Sequence, residues 1–146
     1  MPELPFLDEH RVPTPAPAAA VWKSLSDALA ARRPGAGVFA RLVGAEPARA
    51  SGNPPEEGSA LPGFEVAETV PSRRIRLTGR HHFSRYSLVF VLEPHDGGTT
   101  LSALSYGEFP GLPGRVYRAL VIGTGAHALL VPRLLRGICR RAERAA

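Results

Sequence analysis

The last third of the chain constrains the fold most, because it places two strand-like runs directly before a long apolar helix. The strand-like runs are residues 82–93 and 98–109, and the helical pattern covers residues 115–143. Residues 96–98, Asp-Gly-Gly, separate the two runs, and glycine accepts the positive φ of a tight hairpin turn. An apolar helix needs a surface to cover. This order predicts an antiparallel sheet with a long helix packed on it.

The N-terminal part predicts an edge strand followed by a short amphipathic helix. In an extended chain, residues 6, 8, 10 and 12 would face one side and residues 7, 9 and 11 the other. This run ends at Pro13, which is typical of an edge strand. Pro17 fits the first position of a helix, and Pro34-Gly35 ends the helical pattern. The apolar positions of this helix recur at helical spacing: Val21, Trp22, Leu25 and Leu29.

The middle of the chain predicts further strands around a proline-rich connection. Strand-like runs cover residues 37–43, 64–70 and 73–80. Residues 45–63 hold four prolines as well as glycine and serine, a composition typical of a flexible loop. Sequential antiparallel pairing of the strands is the simplest topology.

Length and composition predict one domain. A chain of 146 residues with a hydrophobic fraction of 44% and a charged fraction of 21% lies close to the averages of globular proteins. Residues 1–146 are therefore expected to form a single domain. Cys139 is the only cysteine, which excludes an intramolecular disulfide. With neither a signal-like start nor 18 consecutive apolar residues, we expect a cytoplasmic protein.

The basic charge is spread along the chain and is concentrated only near the C-terminus. The net charge is +5, and all but one of the 18 basic residues are arginine. Arg136, Arg140 and Arg144 follow the i, i+4, i+8 spacing of one helix face. Such a stripe is typical of a solvated face, and it is also the surface that a protein-binding or nucleic-acid-binding module would use.

The first strand of the predicted hairpin begins with a polar run. If Leu88, Phe90 and Leu92 face the core, period-two alternation also directs His82, Ser84 and Tyr86 inward. A ladder of these three side chains would hold a ligand carbonyl or hydroxyl. Alternatively, this half of the strand lies at the open end of the sheet, where its polar groups meet water.

The second strand of the hairpin carries Ser105, Tyr106 and Glu108. Neither face of this strand is purely apolar, so Ser105 and Tyr106 are candidates for ligand contact. Glu108 is predicted either to act as a general base or to form an ion pair with Arg115 or Arg118.

His127 lies among apolar residues on the predicted long helix. A buried imidazole needs a hydrogen-bond partner, which either the protein core or a bound ligand would supply. Tyr117 and Arg118 would lie nearer the mouth of a pocket. His81 and His82 are adjacent on a strand and diverge, and no metal-binding motif accompanies them, so neither a metal nor a cofactor is predicted.

The order of these elements resembles the START-like superfamily, also called SRPBCC, which includes polyketide cyclases and plant allergens of the Bet v 1 type. The resemblance is carried by residues 12–22, by the strand 86–93 with its hairpin 96–101, and by the C-terminal helix. It implies an α+β helix-grip fold, in which a curved antiparallel sheet wraps around a long C-terminal helix and encloses a cavity. Pocket residues vary across the family, so no catalytic signature carries over. The connection 107–114 is more proline-rich than the family pattern requires.

The residues and the resemblance together predict that a small, mainly hydrophobic or aromatic molecule binds between the sheet and the C-terminal helix. The predicted ligand-binding residues are Trp22, His82, Ser84, Tyr86, Ser105, Tyr106, Tyr117, Arg118 and His127. An alternative is an enzyme of the cyclase or aromatase type, in which Tyr86 or His127 donates a proton to a ligand carbonyl and Glu108 accepts one. The interaction module based on the arginine stripe is the third possibility.

Overall fold

The computed structural model describes residues 4–31, 51–81, 84–109, 111, 115–116 and 126–145. Within them, six strands and two helices have defined bounds. In chain order these elements are β1 (Phe6–Thr14), α1 (Ala18–Ala30), β2 (Ala60–Leu61), β3 (Phe64–Val70), β4 (Arg74–His81), β5 (Ser84–His95), β6 (Gly98–Glu108) and α2 (Ala126–Ala145). The strands form one antiparallel sheet in the order β1-β6-β5-β4-β3-β2.

The β5–β6 hairpin is the longest paired segment of the sheet. It runs without a register shift from Arg85 opposite Glu108 to His95 opposite Gly98. The turn residues Asp96 and Gly97 have φ angles of 44° and 83°. Two consecutive residues with positive φ are typical of the two-residue hairpin turn whose twist matches that of the strands. The predicted turn is therefore confirmed.

Strand β1 lies at one edge of the sheet, as predicted. It pairs with β6, and Pro13 lies opposite Thr100. Proline is tolerated on an edge strand because its missing N–H group costs no ladder hydrogen bond on the unpaired side. This pairing brings the first strand of the chain beside the last.

The core lies on one face of the sheet, hereafter the inner face, which both helices cover. Helix α1 buries Val21 and Leu25, and α2 buries Leu135 and Ile138. The Ser24 hydroxyl donates a hydrogen bond of 2.7 Å to the carbonyl oxygen of Ile138 and so joins the two helices. The buried residues of the inner face follow strand alternation: Ile75, Leu77, Phe90, Leu92, Leu101 and Ala103.

The structure differs from the expected loop over residues 51–63. Ser51 and Ala60 exchange two backbone hydrogen bonds, and β2 pairs with β3. The backbone N–H of Gly58 donates to Val66, and the Glu57 carboxylate accepts from the backbone N–H of Thr69. Proline and glycine here shape turns that return the chain to the sheet edge, because backbone groups packed on a sheet need partners.

The helix-grip fold predicted from the sequence is confirmed, since a curved antiparallel sheet holds a C-terminal helix against its inner face. Helix α2 covers most of the second half of the predicted helix 115–143. Residues 115–116 are helical, whereas residues 117–125 lie outside the described residues, as does the predicted strand 37–43. No helix in the described ranges combines the length and hydropathy needed to span a membrane.

Candidate ligand-binding cavity

A cavity of about 980 Å³ lies between the two helices and the inner face of the sheet. The segment around β2 borders it on one side. This volume is near the upper end of the range of small-molecule sites, about 300–1,000 Å³. Each layer of the fold supplies large apolar side chains to its walls: Leu25, Leu29, Leu77, Leu88, Phe90 and Ile138.

The apolar walls follow directly from the periodicity of each element. Leu25 and Leu29 are one turn apart on α1, so both face the sheet. Leu77 of β4 lies opposite Leu88 of β5, and Phe90 continues the same face two residues further on. The cavity therefore occupies the place where helix and strand side chains leave space between them.

Tyr86 is held by the protein itself. It lies on the inner face of β5 opposite Gly79, and its hydroxyl donates a hydrogen bond of 2.5 Å to the carbonyl oxygen of Gly63. Its ring contacts Phe64 edge-on, with 5.2 Å between the ring centroids. A Cβ atom on Gly79 would lie 2.6 Å from Tyr86 Cε2. Tyr86 therefore joins β5 to the turn before β3. Its neighbour Phe64 lines the cavity, so this contact lies at the edge of the cavity.

Ser105 and Trp22 both lie on the helix-covered side of the protein. Ser105 is buried on the inner face of β6, directly opposite Leu88, which lines the cavity. Trp22 is half-buried on α1 and packs against the core. Three predicted ligand-binding residues are therefore absent from the described lining of the cavity: Trp22, Tyr86 and Ser105.

Tyr106 and Glu108 lie on the opposite, outer face of the sheet, because they alternate with Ser105 and Gly107 along β6. The Tyr106 ring contacts Phe6 edge-on. The Glu108 carboxylate lies 3.8 Å from Arg85 Nε. Arg85 is directly opposite Glu108 in the hairpin register, a cross-strand partner that sequence spacing alone did not suggest.

The remaining predicted site residues are only partly described. His82, Tyr117 and Arg118 lie outside the described residues. For Ser84 and His127 the structure describes the backbone, which belongs to β5 and α2 respectively. Their contacts with a ligand stay predictions. In the described part of the chain, no group of three or more His, Cys, Asp or Glu residues could hold a metal ion.

The residues of α2 that line the cavity were not among the predicted site residues. Arg133, Gly137 and Arg141 line the cavity at i, i+4, i+8 spacing, beside Leu134 and Ile138. The spacing was visible in the sequence, but the neighbouring stripe of arginines at 136, 140 and 144 has the same spacing. All three residues of that stripe are exposed, as predicted for a solvated face.

Cys139 is a buried thiol with a relative exposure of 2%. Burial raises its pKa to about 11, and the charge of Glu143 acts in the same direction. The thiol is therefore protonated at neutral pH and is a poor nucleophile.

We expect native Cys139 to react with iodoacetamide about 100-fold more slowly at pH 8 than the same thiol in urea-unfolded protein. The ordinary thiol pKa is 9.0, so a pKa of about 11 leaves far less thiolate at this pH. The rate for the native protein should rise as the pH approaches 11. Mass spectrometry of timed samples measures both rates, and equal rates would contradict the burial of this thiol.

Comparison with known proteins shows a shared fold. No family model matches the chain, and a search of curated proteins found no significant match. An uncharacterised protein from Rhizobium leguminosarum has a TM-score of 0.60 and 16% identity, over 97% of this chain and 96% of that one. The protein TTHA0849 from Thermus thermophilus has a TM-score of 0.55 and 19% identity, over 99% of both chains.

A Bet v 1-like structure shows which fold the sheet and the C-terminal helix form. Ara h 8.0201, which is Bet v 1-like, has a TM-score of 0.50 and 13% identity, over 94% of this chain and 95% of that one. The chain therefore shares the helix-grip fold of this Bet v 1-like structure, the fold that the sequence resemblance implied. At these identities the likeness concerns the fold alone.

Proposed function

We propose that this protein binds a small, mainly hydrophobic molecule in the cavity between the sheet and helix α2. The observation that supports the proposal most directly is the apolar character of a cavity of about 980 Å³. Apart from two arginines, every described residue that lines it is glycine or has a hydrocarbon side chain. Transfer of apolar surface from water into such a space is favourable at about 25 cal/mol per Å².

The expected affinity is moderate. Each methylene group that leaves water contributes about 0.8 kcal/mol, whereas association and ordering cost several kcal/mol. A ligand of about fifteen carbon atoms gains about 12 kcal/mol from burial and, after a cost of about 4 kcal/mol, would bind with a Kd in the micromolar range, about −8 kcal/mol. Such a ligand would copurify in part, so native mass spectrometry of freshly purified protein is the first experiment.

Replacing Gly137 with phenylalanine should close the cavity. Gly137 lines the cavity, and the nearest atom to a Cβ at this position would be Arg141 Nη2, 3.9 Å away. A Cβ atom therefore fits at this position, and the ring beyond it would occupy space in the cavity that Gly137 lines. We expect the affinity for the neutral fluorophore N-phenyl-1-naphthylamine to fall about tenfold or more, equivalent to at least about 1.4 kcal/mol. A fluorescence titration measures this change.

The matched control is Gly137→Ala, which adds only a methyl group at the same position. We expect this variant to bind the fluorophore within about twofold of the wild-type affinity, a change smaller than the contribution of one methylene group. Unchanged binding by Gly137→Phe, or no binding by the wild-type protein, would contradict the proposed cavity function.

The cyclase or aromatase alternative stays a prediction that rests on the family resemblance. The Tyr86 hydroxyl donates a hydrogen bond to the carbonyl oxygen of Gly63, and the Glu108 carboxylate lies on the outer face beside Arg85. Both positions favour structural roles for these two residues. Turnover of candidate polyketones by His127→Ala and Glu108→Gln would test the alternative, and unchanged rates would remove the predicted proton transfers.

A further inference from the structure

Two arginines are the only charged residues among the described residues that line the cavity. Arg133 and Arg141 lie on α2, one turn before and one turn after Gly137. All three residues therefore share one helix face, and the two arginines are about 12 Å apart along the helix axis. In the described lining, these guanidinium groups are also the only side chains that can donate a hydrogen bond to a ligand.

The guanidinium of Arg141 lies over Gly137. Its Nη2 atom is 3.9 Å from the position that a Gly137 Cβ atom would occupy. Side chains on a helix lean towards its N-terminus, so Arg141 extends back along α2 over the residue one turn earlier. The absent side chain at position 137 leaves a gap in which a ligand group can approach this guanidinium.

Arg133 and Arg141 are exposed at the rim of the cavity, as the other arginines of α2 are exposed, and neither has a described carboxylate within ion-pair distance. None of the ion pairs among the described residues involves Arg133 or Arg141. In contrast, three arginines on the sheet each have a glutamate partner: Arg11 with Glu9, Arg74 with Glu68, and Arg85 with Glu108. An arginine keeps its charge at any physiological pH and favours a carboxylate because two N–H groups can meet its two oxygens.

We propose that the ligand of this cavity is an anionic amphipath, with a hydrocarbon or aromatic body and one carboxylate. This inference rests on the proposed function and adds the chemical class of the ligand. The body fills the space beside Leu88 and Phe90. The carboxylate accepts hydrogen bonds from Arg141 over Gly137, where the apolar walls of the cavity meet water, and Arg133 adds a second positive charge about 12 Å away along the helix.

The test compares dodecanoate with dodecan-1-ol, which share a twelve-carbon chain and differ in the charged head group. Each is titrated below its micellar concentration as a competitor of N-phenyl-1-naphthylamine bound to the full-length protein. We expect wild-type protein to bind dodecanoate about tenfold more tightly than the alcohol. The double variant Arg133→Gln with Arg141→Gln should lose about tenfold in dodecanoate affinity, the range of hydrogen bonds to charged groups. Its affinity for the alcohol should stay unchanged.

The control is the double variant Arg136→Gln with Arg140→Gln. Both residues are exposed on α2 and lie outside the described cavity lining, and their replacement removes the same two charges. We expect dodecanoate affinity to change less than about twofold, because the remaining effect is long-range and screened by salt. A thermal melt followed by circular dichroism verifies that both double variants are folded.

The outcomes separate this inference from the proposed function. Equal affinities of the wild-type protein for the acid and the alcohol, or equal losses in the two double variants, would overturn the inference that the ligand is anionic. The proposed binding of an apolar ligand would still stand. Binding of the fluorophore with displacement by neither twelve-carbon compound would also overturn the inference. Failure of the fluorophore and of both compounds to bind would overturn the proposed function as well.

Discussion

Replacing Phe90 with alanine is expected to lower the free energy of unfolding by about 4 kcal/mol, within the range for large-to-small core substitutions. Phe90 has a relative exposure of 0% on the inner face of β5, in the centre of the sheet. Removal of its ring loses the transfer free energy of the aromatic group and enlarges a cavity that already exists beside it. Urea denaturation with circular dichroism measures the change.

The control for this prediction is Val91→Ala on the same strand. Val91 lies on the outer face, is half-buried and is paired with Arg74 and Ser102. Its truncation should cost about 1 kcal/mol, the usual effect of a point mutation outside the core. Equal losses for the two variants would contradict the assignment of the core to the inner face.

Replacing Gly79 with alanine is expected to lower the free energy of unfolding by about 3 kcal/mol, at the upper end of the usual cost of overpacking. A Cβ atom at this position would collide with the carbonyl oxygen of Gly63 and lie 2.6 Å from Tyr86 Cε2. The first neighbour is backbone, so β4 or the turn before β3 has to move. The Tyr86 hydrogen bond to Gly63 should weaken with it, and urea denaturation followed by circular dichroism measures the loss of stability.

Gly137→Ala is the matched control, since it makes the same chemical change where space is open. The alanine should raise the free energy of unfolding by about 0.5–1 kcal/mol, because glycine in a helix interior is less favourable than alanine. The two substitutions are thus expected to act in opposite directions. A Gly79→Ala variant as stable as the wild-type protein would contradict the close packing of Tyr86 over β4.

The faces of the central strands were predictable from the sequence. Leu88, Phe90 and Leu92 were expected to face the core, and the unbroken register between β4 and β5 shows that Tyr86 shares their face. Alternation with period two is a local property of an extended chain, so it needs no knowledge of the neighbours. The positive φ angles at Asp96 and Gly97 are local for the same reason.

The partners of the polar residues were not predictable in this way. The acceptor of the Tyr86 hydroxyl is Gly63, 23 residues earlier in the chain, and only the pairing of β3, β4 and β5 brings the two together. Glu108 was expected either to act as a general base or to pair with Arg115 or Arg118, and the cross-strand neighbour that the hairpin register gives it, Arg85, was not foreseen. Hydrogen bonds of this kind depend on register, and register is a property of the whole sheet.

For the cavity, too, local sequence patterns predicted some features and tertiary packing decided the others. The sequence by itself determined the elements, their inward faces and the order that resembles the START-like fold, because periodicity and turn chemistry act over a few residues. Helix α2 carries two sets of arginines, one at 133 and 141 and the other at 136, 140 and 144, and the sequence does not show which set borders the cavity. Only the packing of α2 against α1 and the sheet decided that the first pair borders the cavity, since the rotation of a helix about its axis is set by the side chains it meets.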